Sequence, residues 1–461
     1  MSRWQLSELA EICGGRLRGR DAGFDRVSTD TRTLVAGELF IALRGPRFDG
    51  HTFVPQALAN GAVAALVDSA GVFDAGVGPL VEVDDTLKAL GRLATDWRAR
   101  FQGPVIAVTG SNGKTTVRSM IQAILSEQWP GHALATRGNY NNEIGLPLTL
   151  LRLAPDDRAA VIEMGANHHG EIARLTRITQ PDVGLITNAG PAHLEGFGDL
   201  DGVARAKGEL IEGLPAHGIA VLNAGDPRVD VWRKMAGSRS RIEFGLECGD
   251  VRLAETPRYA ADGTRALVDT PVGNVALRLA LPGRHNLINA LAATAAAIAV
   301  DISPATITRG LASVRPEPGR LEPVAGPGGA TLINDCYNAN PGSLAASLDW
   351  LGEQPQPRWL VLGDMGELGE SAGEAHAEAG RLAREAGVER LYAIGEQAAA
   401  AAEAFGPGAI HCWRIERLIE VLRNELRPNV TVLIKGSRSM GLERVVDSLR
   451  DRPERMAGRG G

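Results

Sequence analysis

A short stretch in the first third of the chain combines residue types that bind phosphate. An apolar run at residues 106–108 leads into a glycine-rich turn, then into Lys114 and two threonines, and a helical pattern begins at Val117. Backbone N–H groups at the start of a helix bind phosphates, a lysine neutralises their charge, and a threonine hydroxyl reaches Mg²⁺. The sequence therefore predicts a nucleotide phosphate-binding loop made of Gly110, Ser111, Asn112, Gly113, Lys114, Thr115 and Thr116.

The spacing of this loop departs from the longer form of the motif. Val108 stands where that form has glycine, so the loop reads G-x-x-G-K-T-T. Glycine makes up 56 of the 461 residues, which makes glycine motifs more frequent by chance. An ordinary strand–turn–helix connection is the alternative, but the β-prone run before the loop and the helical pattern after it favour phosphate binding.

Three further residues have chemistry that a bound triphosphate would need. Glu163 ends an apolar strand pattern, and the carboxyl end of a parallel strand faces the crevice where α/β sheets bind ligands. Its carboxylate is a Mg²⁺ ligand in this interpretation and an exposed strand-end residue in the alternative. His193 also follows a strand, although a lone histidine is more often structural. Lys207 lies in a helical pattern, where a lysine usually faces solvent.

Polar residues also cluster after other predicted strands. Asn286 has an amide suited to an adenine edge, and capping of a helix is an equal alternative. Residues 334–341 are rich in Asn and Asp and include Tyr337, which indicates a binding loop, although such loops also form for turn reasons. Lys435 and Arg438 follow another strand and suit a carboxylate or phosphate, with an ordinary basic turn as the alternative.

The composition limits the class of protein. The net charge of −6 provides no general attraction for nucleic acid, which disfavours a nucleic-acid motor. Glu8 and Glu11 and the lack of a long apolar run argue against a signal peptide, and no apolar segment is long enough to span a membrane. We therefore expect a cytoplasmic monomer with no nucleic-acid or membrane partner. The scattered cysteines indicate reduced thiols, not a disulfide framework or zinc site: Cys13, Cys248, Cys336 and Cys412.

Alternating strand and helix patterns predict an α/β protein with three domains. Residues 1–84 form a small α/β domain, residues 85–316 a mostly parallel central domain, and residues 317–461 a third α/β domain. Residues 250–281 predict antiparallel strands, and residues 315–320 a linker. Helices are predicted at residues 6–13, 87–100 and 289–300. Strands are predicted at residues 38–43, 62–67, 79–83, 159–164, 183–187, 218–223, 331–334, 358–363, 390–394 and 431–434.

The phosphate loop, with its short spacing, resembles the ATP site of the Mur ligase family, and the resemblance covers essentially the whole chain. That family implies a P-loop ATPase-like central domain and a Rossmann-like third domain. Thr31 and Asp199 stand where the family often has serine. Other segments resemble the loop that follows the family's ATP site, its two metal-binding regions and its adenine-contact segment. They are residues 136–147, 163–167, 170–172, 192–197, 206–209 and 283–289.

The resemblance is narrower at two segments. Residues 335–343 and 363–369 resemble the branch of the family that adds D-alanyl-D-alanine. The branch that adds the third residue of the peptide has an Asp-Asn-Pro-Arg-like signature, which this sequence lacks. Residues 29–32 and 49–51 resemble the uridine-nucleotide-binding module of the family.

These resemblances imply an ATP-dependent amide-bond ligase that works with Mg²⁺. Lys114 and Thr115 are then expected at the ATP phosphates. Glu163 and His193 are expected to bind Mg²⁺, and Lys207 to carry a carbamate that helps to hold a second Mg²⁺. The remaining implied roles are phosphate contact by Arg320, ribose contact by Asp335, and adenine contact by Asn286 and Asn289.

The implied substrates are UDP-MurNAc-tripeptide and D-alanyl-D-alanine, joined through an acyl phosphate. One rival interpretation is another ligase of this architecture, such as one adding an amino acid to folate or to a different muramyl peptide. The other is a nucleotide-switched binding protein that ligates nothing. The expected substrate-binding residues are Thr29, Asp30, Thr31, Arg32, Asp49, His51, Asn139, Asn141, Tyr337, Asn338, Asn340, Lys435, Ser437 and Arg438.

Overall fold

The computed structural model describes residues 3–45, 48–68, 71, 73–74, 76–191, 194–260 and 263–451. Three large sheets follow one another along these residues, each with helices packed against it, which confirms the predicted α/β class. The domain limits at residues 84 and 316 stay a prediction, because one hydrophobic core runs from the first sheet into the second through a shared helix. In the described part of the chain, no helix is long and apolar enough to cross a membrane.

The N-terminal part is built on a sheet with strand order β2–β9–β8–β5–β4. The pairs among β4, β5, β8 and β9 are parallel, and β2 joins the edge antiparallel. Its helices and strands are β1 (Trp4–Gln5), α1 (Leu6–Cys13), β2 (Arg16–Arg18), β3 (Gly23–Phe24), β4 (Val27–Ser28), β5 (Leu39–Ile41), β6 (Arg44–Gly45), β7 (Phe48–Asp49), α2 (Val54–Ala59), β8 (Ala64–Asp68), β9 (Leu80–Val83) and α3 (Thr86–Ala99).

The central part is a parallel sheet of order β11–β12–β10–β13–β14–β15. Every residue of β10 is buried, as its apolar sequence requires for a strand covered by helices on both faces. The elements are β10 (Val105–Thr109), α4 (Lys114–Gln128), β11 (Ala133–Ala135), α5 (Gly145–Leu150), β12 (Ala159–Glu163), α6 (Glu171–Thr179), β13 (Val183–Ile186), α7 (Leu194–Phe197), α8 (Leu200–Glu212), β14 (Ile219–Asn223), α9 (Val229–Ala236) and β15 (Ser240–Phe244).

An antiparallel sheet and two helices complete the central part, as predicted for residues 250–281. Helix α10 is rich in alanine and buried on nearly all its length, so it packs closely against α4 in one hydrophobic core. The elements are β16 (Arg252–Leu253), β17 (Arg258–Ala260), β18 (Gly263–Asp269), β19 (Val275–Leu279), α10 (Arg284–Ile298) and α11 (Pro304–Ser313).

The C-terminal part is a sheet of order β20–β21–β25–β22–β23–β24, antiparallel only at its β20 edge. The carboxyl ends of β21 and β25 lie side by side, so the loops that follow them share one crevice. The elements are β20 (Glu322–Ala325), β21 (Thr331–Asp335), α12 (Pro341–Gly352), β22 (Arg358–Gly363), α13 (Ala372–Glu385), β23 (Arg390–Ile394), α14 (Ala398–Phe405), β24 (Ala409–Cys412), α15 (Ile415–Glu425), β25 (Thr431–Lys435) and α16 (Glu443–Leu449).

Candidate active site

The phosphate loop connects β10 to α4 at the carboxyl edge of the central sheet. Gly113 begins the helix with a φ of 82°, a left-handed conformation that favours glycine. The neighbouring strand end shapes the loop: the N–H groups of Ser111 and Asn112 donate to the carbonyl and side-chain oxygens of Asn188, both at 3.0 Å. Because the first N–H groups of a helix have no partner within the helix, the start of α4 is suited to an anion.

Lys114 lies folded over this loop. Its Nζ donates to the carbonyl oxygens of Gly110 at 2.7 Å and Ser111 at 3.2 Å. Burial lowers the pKa of the ammonium group, and the Glu163 carboxylate opposes that shift. The cation is therefore held at the loop by carbonyl groups that an anionic ligand can replace.

Glu163 and Thr115 form the part of the site that fits a metal ion. The Glu163 Oε1 accepts from Asn141 Nδ2 at 2.9 Å and from Thr115 Oγ1 at 3.3 Å. Glu163 is buried, and its Oε2 has no hydrogen-bond partner among the described residues. An orphaned buried carboxylate oxygen beside a hydroxyl is suited to a hard cation such as Mg²⁺, so the alternative of an exposed strand-end glutamate is wrong.

The protein supplies only part of a metal coordination shell here. Within the described ranges, no group of three or more His, Cys, Asp and Glu side chains is arranged to hold a metal. Mg²⁺ commonly takes one or two carboxylates and completes its shell with phosphates and water. His193, the other predicted ligand, lies outside the described residues and stays a prediction.

Lys207 is buried, contrary to the solvent-facing alternative. Only 1 % of the residue is exposed, and its Nζ lies 4.9 Å from the centre of the Phe197 ring. Burial, reinforced by repulsion from Lys114, lowers the pKa of Lys207 to about 7. A substantial fraction of this amine is therefore neutral, and nucleophilic, near neutral pH.

Arg320 connects the phosphate loop to the C-terminal part. Its Nη2 donates to Thr115 Oγ1 at 2.9 Å, and its guanidinium carbon lies 4.2 Å from the centre of the Tyr337 ring. The ring face stabilises the cation and orients it towards α4. A second contact between the two parts is a hydrogen bond from Asn340 Nδ2 to Asn112 Oδ1 at 2.8 Å.

Asp335 and Lys435 form a buried ion pair at the crevice of the C-terminal sheet. The Asp335 Oδ2 lies 2.6 Å from Lys435 Nζ and accepts from Ser347 Oγ at 2.7 Å. The same Nζ donates to the Asn338 carbonyl at 3.1 Å. Lys435 is thus part of the crevice and not an ordinary basic turn, and its charge fixes the binding loop after β21.

A cavity of about 630 Å³ joins the phosphate loop to this crevice. It is large enough for a nucleotide-sized ligand. Gly110, Lys207, Ser437 and Arg438 do not line the described cavity. The predicted residues that do are Ser111, Asn112, Gly113, Lys114, Thr115, Thr116, Asn139, Asn141, Glu163, Asn286, Asn289, Arg320, Asp335, Tyr337, Asn338, Asn340 and Lys435.

Asn286 does not cap its helix. Gly283 occupies the N-cap position of α10, and Asn286 lies in the first turn, where its Nδ2 donates to the Pro282 carbonyl at 2.7 Å. Its Oδ1 accepts from Asn289 Nδ2 at 3.3 Å. The capping alternative is therefore wrong, and both amides face the large cavity.

The residues predicted to bind the uridine nucleotide lie in the N-terminal part, away from that cavity. Arg32 is exposed and pairs with the half-buried Asp30 at 2.6 Å. His51 Nε2 accepts from the Asp68 N–H at 3.1 Å, so its Nδ1 carries the proton and donates to Asp49 at 2.6 Å. The neighbouring predicted residues are Thr29 and Thr31.

The structure does not bring Ser437 and Arg438 to the cavity. After β25 the chain turns into a short 3₁₀ helix, Arg438–Met440. Ser437 Oγ bonds to Ser439 Oγ at 3.0 Å, and Arg438 pairs with Glu443 at 3.4 Å. A turn directly after a strand redirects side chains in a way that spacing does not reveal.

Sequence reasoning missed several residues that line or shape the cavity. Asn188 follows β13, Asn223 is the last residue of β14, and both line the cavity. Asp226 also lines it and accepts from the Ala189 N–H at 2.8 Å, which fixes the loop that supports the phosphate loop. The available signal was their position: each is a polar residue at the carboxyl end of a buried parallel strand.

Three family models match the chain. Residues 24–98 match the Mur ligase family catalytic domain, residues 108–297 the Mur ligase middle domain, and residues 319–438 the Mur ligase glutamate ligase domain. Together they cover most of the chain.

Curated relatives match over nearly the full length. The UDP-N-acetylmuramoyl-tripeptide–D-alanyl-D-alanine ligase of Escherichia coli is 44 % identical, covering 97 % of this chain and 98 % of the relative. The ligase of the same name from Bacillus subtilis is 36 % identical, covering 98 % of this chain and all of the relative.

Solved structures are also similar to this chain over most of its length. MurF from Acinetobacter baumannii superposes with a TM-score of 0.89 at 35 % identity, covering 97 % of this chain and 98 % of that one. MurF from Thermotoga maritima, in complex with ADP, superposes with a TM-score of 0.82 at 29 % identity. The match covers 92 % of this chain and 96 % of that one. By its sequence and by its three-part architecture, the chain belongs to the Mur ligase family.

Proposed function

We propose that this protein is an ATP-dependent ligase that joins D-alanyl-D-alanine to UDP-MurNAc-tripeptide in the synthesis of peptidoglycan precursors. The observation that carries the proposal is the cavity in which the phosphate loop meets the C-terminal crevice. The names of the relatives from Escherichia coli and Bacillus subtilis support this pair of substrates. The ADP complex of the Thermotoga maritima relative supports the use of ATP.

The reaction proceeds in two steps. A carboxylate oxygen of the tripeptide attacks the γ-phosphorus of ATP, the bond to the β–γ bridging oxygen breaks, and ADP leaves. The amine of D-alanyl-D-alanine then attacks the acyl carbon of the acyl phosphate. The carbon–oxygen bond breaks, and the departing phosphate takes up the proton that the amine loses.

The residues of the cavity stabilise the charge that moves in the first step. Lys114 and the N–H groups at the start of α4 bind the transferred phosphoryl group. Arg320 contacts the same group from the C-terminal part. Thr115 and Glu163 would hold Mg²⁺, which supplies charge neutralisation at the phosphates. Closure of the parts around the cavity excludes water, which would hydrolyse an acyl phosphate.

Lys207 is proposed to carry a carbamate. Its burial and lowered pKa provide the neutral amine that adds to CO₂. The amine nitrogen bonds to the carbon of CO₂ and loses one proton to solvent, and the resulting carboxylate has oxygen atoms that would suit a second Mg²⁺ together with His193.

The other proposed roles follow the three parts. The N-terminal part, residues 1–84, binds the uridine nucleotide through Asp30, Arg32 and their neighbours. The central part, residues 85–316, binds ATP, and the C-terminal part, residues 317–461, binds the dipeptide near Tyr337 and Asn338. We place the protein in the cytoplasm as a monomer, a location that fits its four free thiols.

The test is to measure phosphate release and product mass with the purified chain, ATP and Mg²⁺. Phosphate release should require both UDP-MurNAc-tripeptide and D-alanyl-D-alanine, and the product should have their summed mass less one water. Phosphate release without the dipeptide contradicts the proposal. So does a product formed with glutamate in place of the dipeptide, or with a folate in place of the UDP substrate.

A further inference from the structure

The connection between α11 and β20 lies against one face of the phosphate-loop helix. Thr115, Arg118 and Ser119 of α4 occupy positions i, i+3 and i+4, which place their side chains on the same side of the helix. Two residues of the connection contact that face, Glu317 and Arg320. The connection therefore attaches the C-terminal part directly to the helix that begins at the phosphate loop.

Glu317 is the anchor of this contact. Its Oε1 accepts from Arg118 Nη2 at 3.0 Å and from Ser119 Oγ. Its carbonyl oxygen accepts from the Arg320 N–H at 3.1 Å, which closes a turn. Because the turn is closed, the position of Glu317 sets the position from which Arg320 reaches Thr115.

Arg118 also faces the proposed cation site. Its Nε lies 3.9 Å from Glu163 Oε2, and neither atom has a hydrogen-bond partner among the described residues. The Arg118 side chain is only 8 % exposed. One buried guanidinium thus lies between the carboxylate of the cation site and the carboxylate of the connection, and its planar fork can orient both.

The same turn continues into the binding loop of the C-terminal part. The Tyr337 N–H donates to the Gly319 carbonyl at 3.1 Å, and the Gly319 N–H donates to Glu322 Oε2 at 3.1 Å. A displacement of the turn therefore moves both Arg320 and Tyr337, which lie against each other.

We propose that Arg118 is a positioning residue for the ligation. It acts on Arg320 through Glu317, and it acts on the cation site through Glu163. The catalytic consequence rests on the proposed function, whereas the structural coupling does not.

The coupling is tested by hydrogen exchange on the chain without nucleotide. The Glu317→Gln variant should speed exchange at the amides of Arg320 and Tyr337 by about tenfold, a loss typical of one charged hydrogen bond. Glu127→Gln is the matched control, because Glu127 also lies on α4 and pairs with Arg309 of α11 at 2.6 Å, away from the turn. Equal exchange in the two variants would overturn the proposal.

Turnover provides the second readout. Glu317→Gln should lower kcat by about tenfold and leave KM for the UDP substrate unchanged, whereas Glu127→Gln should match the wild type. The Arg118→Lys variant lacks the planar guanidinium group. Adding Glu317→Gln to it should cause little further loss of kcat. Additive losses in the double variant would contradict action through Glu317. A wild-type chain that makes no product contradicts the proposed function, and the exchange experiment still decides the coupling.

Discussion

At the scale of residues, one hydroxyl group has two hydrogen-bond partners. Thr115 Oγ1 donates to Glu163 and accepts from Arg320 in the structure. A cation held by Thr115 and Glu163 would take the same oxygen, so Arg320 would have to release it. We expect Arg320 to move from Thr115 to the phosphates when the nucleotide and metal bind.

Lys114→Ala should lower turnover by at least about a hundredfold, the usual effect of removing a group that stabilises transferred charge. Its ammonium group contacts only carbonyls of its own loop within the described structure, so the unfolding midpoint should hardly change. Turnover and thermal unfolding of the purified variant measure both effects. Near-normal turnover would contradict the ATP assignment, and Lys88→Ala, at a mostly exposed lysine, is the control.

Lys207 should form a carbamate that is visible by ¹³C NMR after addition of labelled CO₂. At fixed dissolved CO₂ the signal should grow as the pH rises through about 7, because the neutral amine is the reacting form. Lys207→Arg should abolish the signal. A wild-type protein without this signal at pH 8 would contradict the carbamate.

At the scale of elements, the phosphate loop depends on close packing between two strand ends. Gly110 has a φ of 144°, and a Cβ atom there would overlap Thr187 Oγ1. Thr187 Oγ1 itself donates to the Asn112 carbonyl at 2.6 Å. Glycine is therefore required where β10 ends, for conformation and for space.

Gly110→Ala should destabilise the fold by more than about 3 kcal/mol, because backbone strain adds to the steric overlap. Gly131→Ala is the matched control: its φ of 80° is also left-handed, but no atom lies within 4 Å of the added Cβ. It should cost only about 1–2 kcal/mol. Urea unfolding measures both, and equal losses would contradict the packing argument.

Apolar patterns predicted most of the buried strands of the parallel sheets, because burial on both faces requires an apolar sequence, and they located the helices α1, α3 and α10. The predicted strand at residues 159–164 is β12, and the predicted helix at 87–100 is α3 within one residue at each end. Helix α10 begins five residues before its predicted start, since its polar first turn hides the periodicity. The partly exposed edge strands β15 and β24 were missed because burial imposes less of a pattern on them.

At the scale of the whole molecule, the active site is assembled from parts far apart in sequence. Arg118 and Glu317 are 199 residues apart, and Asn112 and Asn340 are 228 apart. No local sequence pattern indicates such pairs, so each cavity residue was predicted separately, from its position at the end of a strand. The sequence did not reveal that Asn141 donates a hydrogen bond to the Glu163 carboxylate.

Arg32→Ala should raise KM for the UDP substrate by about tenfold, as expected for one lost charge-assisted hydrogen bond, and leave KM for ATP unchanged. The reason is the location of Arg32, which lies in the N-terminal part and not at the large cavity. Steady-state kinetics with each substrate varied in turn measure this. Arg16→Ala, at another exposed arginine of the same part, is the control. Equal effects on both substrates would discredit the assignment of the N-terminal part.

The most direct test of the account follows an oxygen atom. UDP-MurNAc-tripeptide labelled with ¹⁸O in the reacting carboxylate should pass one label to the phosphate released during ligation, because the carboxylate oxygen bonds to phosphorus before the amine attacks. Mass spectrometry of the phosphate measures the transfer. One ¹⁸O per phosphate is the predicted result, and unlabelled phosphate released together with ligated product would contradict the phosphorylation of an acid in this cavity.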